Sequence, residues 1–178
     1  MNICVFGAAS DRLDTAYFTL AEELGRVMAR RGHRLIFGGG ATGLMGAMAR
    51  GLLAGGGRFT GVAPRFFDIP GILMEEGEMI FTDTMAERKT IMRDMADAFI
   101  ALPGGIGTYE EFLETLTLKQ LGRHEKPIAL LEILGYYEPM DTMLRHTVQS
   151  GFMGEHCLSM YRLFDDVETC LNALEAGE

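Results

Sequence analysis

Short apolar runs alternate with longer amphipathic stretches along the whole chain. Asn2–Ala8 reads as a strand, and Asp14–Arg31 then places Ala16, Leu20, Leu24, Val27 and Met28 on one helical face. Arg34–Phe37 predicts a second strand that runs into Gly38-Gly39-Gly40, and a small-residue helix follows from about Gly43 to Ala54. Phe59–Ala63 returns as a strand. Pro64–Gly77, with two prolines, adjacent aromatics and acids, reads as a mobile loop. Met79–Thr82 is a brief strand, and Asp83 or Thr84 caps a helix reaching about Met95.

The next unit is the clearest: strand Ala98–Leu102, turn Pro103–Gly107, helix Thr108–Leu121. Pro127–Glu132 is another strand, a helix covers about Tyr136–Gln149, and Tyr161–Phe164 is the last strand. Asp165-Asp166-Val167-Glu168 opens the final helix with capping-box-like spacing. Strands alternating with helices of this length predict a mostly parallel sheet covered on both faces. The expectation is α/β: one Rossmann-like domain over residues 1–178, with no linker or repeat.

Composition narrows the function. The 178 residues are 48% hydrophobic and 23% charged, as in an ordinary globular protein. No apolar run reaches the ~18–20 residues a membrane helix needs. Met1–Phe6 lacks a basic segment, so a strand rather than a signal peptide is expected. Cys4, Cys157 and Cys170 form no metal or disulfide pattern, which points to a reducing cytoplasm. A net charge of −9 without a basic run argues against a nucleic-acid surface. A small anion can still bind through local backbone dipoles.

Pro103-Gly104-Gly105-Ile106-Gly107-Thr108 is the strongest candidate for that anion. It joins a buried strand to a helix at the carboxyl end of the sheet, where open α/β sheets bind ligands. Three glycines in four positions let backbone N–H groups approach a phosphate, and Thr108 adds a hydroxyl. Glu111 lies four residues past Gly107 on the same helical face, a rise of about 6 Å. That matches the span from a 5′-phosphate to the anomeric carbon of a ribose. The helix terminus is expected to keep Glu111 ionised, suiting it to support an oxocarbenium ion or activate water. Glu110 is expected on another, solvated face. Glu87-Arg88-Lys89, read alone, is a solvated helix surface.

Gly38–Gly43 fits GxGxxG, but a dinucleotide fingerprint also wants an acid ~20 positions on. Residues 48–67 contain none, so this loop at most lines a pocket. Met45, Met48, Met85, Met92 and Met95 are expected in the core. The four histidines show no ligand spacing, and no GxxxxGK[ST] loop occurs.

Together these segments resemble the LOG (Lonely Guy) family of cytokinin riboside 5′-monophosphate phosphoribohydrolases. The marker PGGxGTxxE stands here as Pro103–Glu111, and the family's Arg-Lys pair, 23 residues before that glutamate, as Arg88-Lys89. Gly38-Gly39-Gly40-Ala41-Thr42-Gly43-Leu44-Met45-Gly46 resembles its GGGxxGLMG. Leu121-Gly122, Lys126-Pro127 and Gly135-Tyr136-Tyr137 follow its downstream phrasing.

The resemblance implies that Arg88 and Glu111 are the catalytic pair. It implies that Gly104, Gly105, Ile106, Gly107 and Thr108 hold the phosphate, with Ser10, Lys89 and Thr117 at the substrate site. It implies a homodimer whose partner subunit helps shape the base pocket, a nucleotide substrate (N6-prenyl-AMP or AMP), and no cofactor or metal. Many members carry the label lysine decarboxylase, yet none of the three lysines here (Lys89, Lys119, Lys126) sits in a pyridoxal-phosphate setting. The family's Gly-Ser-Ser after the first strand is Ala8-Ala9-Ser10 here, which keeps only the last serine. A carrier or sensor of a nucleotide-like or pterin-like ligand is the alternative on the same fold.

Overall fold

The computed structural model describes residues 1–177. Seven strands form one sheet in the order β4-β3-β2-β1-β5-β6-β7, and every adjacent pair is parallel. They are β1 (Asn2–Phe6), β2 (Arg34–Phe37), β3 (Arg58–Pro64), β4 (Glu78–Thr82), β5 (Ala98–Ala101), β6 (Ile128–Leu131) and β7 (Arg162–Phe164). The helices are α1 (Thr15–Arg30), α2 (Gly43–Ala54), α3 (Met85–Met95), α4 (Ile106–Gln120), α5 (Glu138–Gln149) and α6 (Val167–Ala176). The expected α/β class holds, with named strands that are parallel throughout.

Alternation along the strands divides the core between two faces. Ile3 and Val5 of β1 join Leu35, Phe37, Ile100 and Leu131 under α1, α2 and α6. Cys4 and Phe6 face the other way, with Phe99, Leu130, Met92 of α3, Phe112 and Leu116 of α4, and Met140 and Leu144 of α5. On α1 the expected inward residues Leu20, Leu24, Val27 and Met28 are buried, and Ala16 is half-buried. Two glycines let α1 and α2 pack backbone to backbone: a Cβ on Gly25 would lie 2.1 Å from the Met48 carbonyl oxygen. Capping fixes where helices begin. The Asp14 carboxylate accepts from Ala16 N–H at 2.9 Å, and Asp166 from Thr169 N–H at 2.7 Å.

The direction in which successive strands are added reverses between β1 and β5, while the strands stay parallel. From β1 the order runs outward through β2, β3 and β4, and from β5 it runs the other way through β6 and β7. The crevice beyond the carboxyl ends of β1 and β5 is therefore the switch point at which such sheets bind ligands.

Pro64–Gly77 departs from its expected looseness. Arg65–Phe67 is a turn of 3-10 helix. Ala41 N–H donates to Ile72 O and Met74 N–H to Gly39 O, both at 2.9 Å, so the segment is tied to the Gly38–Gly40 turn. A further 3-10 segment at Glu155–Ser159 has no counterpart in the hydropathy pattern.

Candidate functional site

A cavity of about 310 Å³ opens at the switch point. Gly7, Ala8 and Ala9 form its floor beyond β1, and Gly105, Gly107 and Thr108 its wall at α4. Arg88, Glu110 and Glu111 supply its charge. A second lobe of about 290 Å³ shares Ala9, Met45, Phe67 and Arg88, and reaches under Gly38, Gly40, Ile72 and Leu73. The second glycine loop does line a pocket.

The two glycine loops precede two helix starts that differ in one respect. At α2, Gly43 N–H donates to the Asp11 carboxylate at 2.8 Å and Leu44 N–H to the Ala8 carbonyl at 2.9 Å. That helix terminus is filled by the protein's own acceptors. At α4, Gly105 stands at the N-cap without a capping side chain, and the first helical bond runs from Tyr109 N–H to Gly105 O. The N–H groups of Ile106, Gly107 and Thr108 lack helical acceptors, which is the arrangement that attracts an anion.

The glycines there are not conformational necessities. None of Gly104, Gly105 and Gly107 has a positive φ. A Cβ on Gly104 would lie 2.1 Å from Thr108 Oγ1, so this glycine makes room for buried Thr108. Beyond its chain neighbours and its own helix backbone, a Cβ on Gly105 or Gly107 would meet no protein atom within 4 Å. Both positions line the cavity, which their bareness leaves open. The helix also begins two residues earlier than the pattern predicts, at Ile106, whose side chain is exposed.

Arg88 reaches the cavity from α3. Thr84 caps that helix by accepting from Glu87 N–H at 3.1 Å, and the Glu87 carboxylate returns to Asp83 N–H at 3.0 Å. One turn on, Arg88 Nε donates to the Val62 carbonyl at 3.0 Å and Nη1 to Glu111 Oε1 at 2.7 Å. Gly38 leaves it space, since a Cβ there would lie 2.4 Å from Nη2. The side chains of Arg88 and Glu111 are only 9% and 13% exposed, so this is a partly dehydrated pair and no solvated helix surface.

Two expectations need correction, on Glu110 and on the methionines. Burial pushes the Glu111 carboxyl above the ordinary glutamate range, and Arg88 opposes that shift by favouring the ionised form. The helix terminus does not decide it, because the dipole fades within the first turn and Glu111 stands in the second. Glu110 is exposed but not merely solvated: it lines the cavity and, with Glu114, clamps Lys89. Met48 and Met92 are core residues as expected, and Met45 and Met95 are half-buried against the core, whereas Met85 is exposed; Met45 and Met85 line the cavity.

Other candidates fall outside it. Ser10 accepts from Arg12 N–H at 3.2 Å and lines a neighbouring cavity with Tyr17, Gly104 and Tyr136. Thr117 is exposed farther along α4 and lines neither lobe. Lys89 also stands outside both lobes, held by its two glutamates. Phe67 and Gly7 do line the site, although no pattern in the sequence marks them.

A family model described as possible lysine decarboxylase matches residues 45–174. A cytokinin riboside 5′-monophosphate phosphoribohydrolase of Rhodococcoides fascians is 38% identical over 177 residues, covering 98% of this chain and 89% of the relative. One from Arabidopsis thaliana is 41% identical over 153 residues, covering 85% and 72%. The chain belongs to the LOG family. Among solved structures, the molybdenum cofactor carrier protein of Chlamydomonas reinhardtii superposes with a TM-score of 0.75 at 22% identity, covering 99% of this chain and 96% of that one. The molybdenum cofactor binding protein of Rippkaea orientalis gives 0.74 at 20%, covering 98% and 95%. These two likenesses concern the fold alone.

Lys89 of this LOG-family chain does not fit the decarboxylase description. Burial works against the charge of Lys89, but its two glutamates prevail and raise its pKa, the reverse of what a Schiff-base lysine needs. Lys119 donates to Lys126 O at 3.1 Å, and Lys126 to Arg93 O at 2.8 Å.

Proposed function

We propose that the chain hydrolyses the N-glycosidic bond of a purine nucleoside 5′-monophosphate, N6-prenyl-AMP or AMP, releasing the base and ribose 5-phosphate. The observation that carries this reading is the unfilled α4 terminus with the Arg88–Glu111 pair one turn beyond it in the same cavity. The names of the relatives point the same way.

Phosphate docks on the N–H groups at Gly105, Gly107 and Thr108 and on the Thr108 hydroxyl, and the ribose extends toward Glu111. As the C1′–N bond lengthens, its electron pair leaves with the base and positive charge gathers on the sugar. The Glu111 carboxylate stabilises that charge and takes a proton from the water that bonds to C1′; the departing base takes a proton from solvent, and Glu111 later returns its own to solvent. Arg88, fixed by Val62 O, holds the carboxylate in place. The second lobe, with Met45, Phe67, Ile72 and Leu73, suits an apolar N6 substituent.

We also read the chain as a homodimer. Phe66, Phe67, Ile69 and Ile72, an exposed apolar group in the segment that borders this lobe, fit cover by a partner subunit.

Base release from isopentenyl-AMP and AMP, followed by chromatography, tests the activity. Release is expected, with a loss of at least about 100-fold in Glu111→Gln and in Arg88→Ala. Tight nucleotide binding by the parent without turnover would instead indicate a carrier.

A further inference from the structure

The loop that presents the α4 terminus is held from behind by side chains that the reaction itself does not use. Leu102, Pro103 and Gly104 offer three successive carbonyls, and each is occupied by another element. The Tyr137 hydroxyl donates to Leu102 O at 2.6 Å, Ala8 N–H donates to Pro103 O at 3.1 Å, and the Tyr136 hydroxyl donates to Gly104 O. A trans peptide is planar, with its N–H opposed to its C=O. Holding the Gly104 carbonyl therefore fixes the direction of the Gly105 N–H, at a residue that lines the main cavity.

The two tyrosines are themselves positioned with care. Leu134 (φ +60°) and Gly135 (φ +68°) make consecutive left-handed steps just before them, and Leu134 is the only non-glycine among the described residues with positive φ. Tyr137 is 1% exposed, and its N–H donates to the Glu132 carboxylate at 2.7 Å. Tyr109 of α4 donates to the Tyr136 hydroxyl at 3.2 Å, which leaves the proton of Tyr136 for Gly104. Burial raises the pKa of both, that of Tyr136 to about 12, so each remains a donor at neutral pH.

We propose that Tyr136 and Tyr137 are positioning residues for the phosphate site, with Tyr136 aligning the Gly105 N–H and Tyr137 anchoring the root of the loop. The inference rests on the reading that this loop binds phosphate. It predicts the larger effect at Tyr136, because Tyr137 holds the peptide of Pro103, which has no N–H to align.

The test is calorimetric titration with ribose 5-phosphate, alongside AMP kinetics, for the full chain and for Tyr136→Phe, Tyr137→Phe and Tyr161→Phe. Tyr161 is the control, since its hydroxyl donates to Asp141 at 2.9 Å and makes no contact with the loop. Tyr136→Phe is expected to weaken ribose 5-phosphate binding and raise KM by about tenfold, the size of one hydrogen bond in a charged setting, with kcat within about twofold. Tyr161→Phe should lower the melting midpoint and leave both constants unchanged. Ribose 5-phosphate binding within about twofold of the parent in Tyr136→Phe and Tyr137→Phe would overturn the proposal. A parent chain that does not bind ribose 5-phosphate would overturn the phosphate reading beneath it.

Discussion

Glu111 stands between two opposed influences: burial, which favours its neutral form, and Arg88, which favours the carboxylate. Burial prevails, so protonation occurs above the ordinary glutamate value of about 4.3. If the ionised form is the working one, activity falls as pH drops through that raised value. Removing the cation in Arg88→Ala should move whatever acid limb remains still higher, as a pH profile of kcat/KM would reveal. The same shift has a sign for stability. A carboxyl whose folded pKa lies above its unfolded one contributes stability below the unfolded value, and loses it as pH rises through the folded value. Glu111→Gln should therefore gain stability relative to the parent as pH increases from acid to neutral, measured by denaturant midpoints. An unchanged difference across that window would show that burial does not govern the group.

At the level of elements, the decisive contrast is between two helix starts that look alike in sequence. Both follow a strand and a run of glycines, yet Asp11 and Ala8 fill one and leave the other free. Gly107→Ala tests what the freedom is for. Its Cβ would meet no protein atom beyond its chain neighbours and its own helix backbone, and alanine favours the helix by up to about 1 kcal/mol. The melting midpoint should hold or rise while the KM for AMP climbs at least about tenfold, from loss of one charge-assisted contact. Parallel loss of stability and affinity would make the glycine structural. Periodicity makes the strand–turn–helix at Ala98–Gln120 legible, because a buried strand, a glycine turn and an amphipathic helix are all local signals. The Arg88–Glu111 pair is not local. Its burial depends on Gly38 and Val62, which no spacing along the chain connects to α3. For the same reason Met45, Met85 and Phe67 are legible only as core or loop, and Tyr136 and Tyr137 as the start of a helix.

Across the whole molecule, the sheet order does the assembling. By reversing between β1 and β5 it brings the ends of β1, β2 and β5 and the helices α3 and α4 to one crevice. The apolar residues at 66, 67, 69 and 72 remain uncovered in the single chain, two of them more than half exposed (Phe66 57%, Ile69 55%). The dimeric reading predicts a two-chain species in sedimentation velocity, and specific activity that declines when dilution separates the chains; a monomer with full activity would contradict it. The arrangement of ligand and carboxylate is the claim on which the rest depends. A crystal structure of Glu111→Gln with AMP tests it most directly. The account predicts phosphate oxygens about 3 Å from the N–H groups of Gly107 and Thr108, with C1′ facing residue 111. Phosphate bound elsewhere, or a ribose turned away from that side chain, would contradict it.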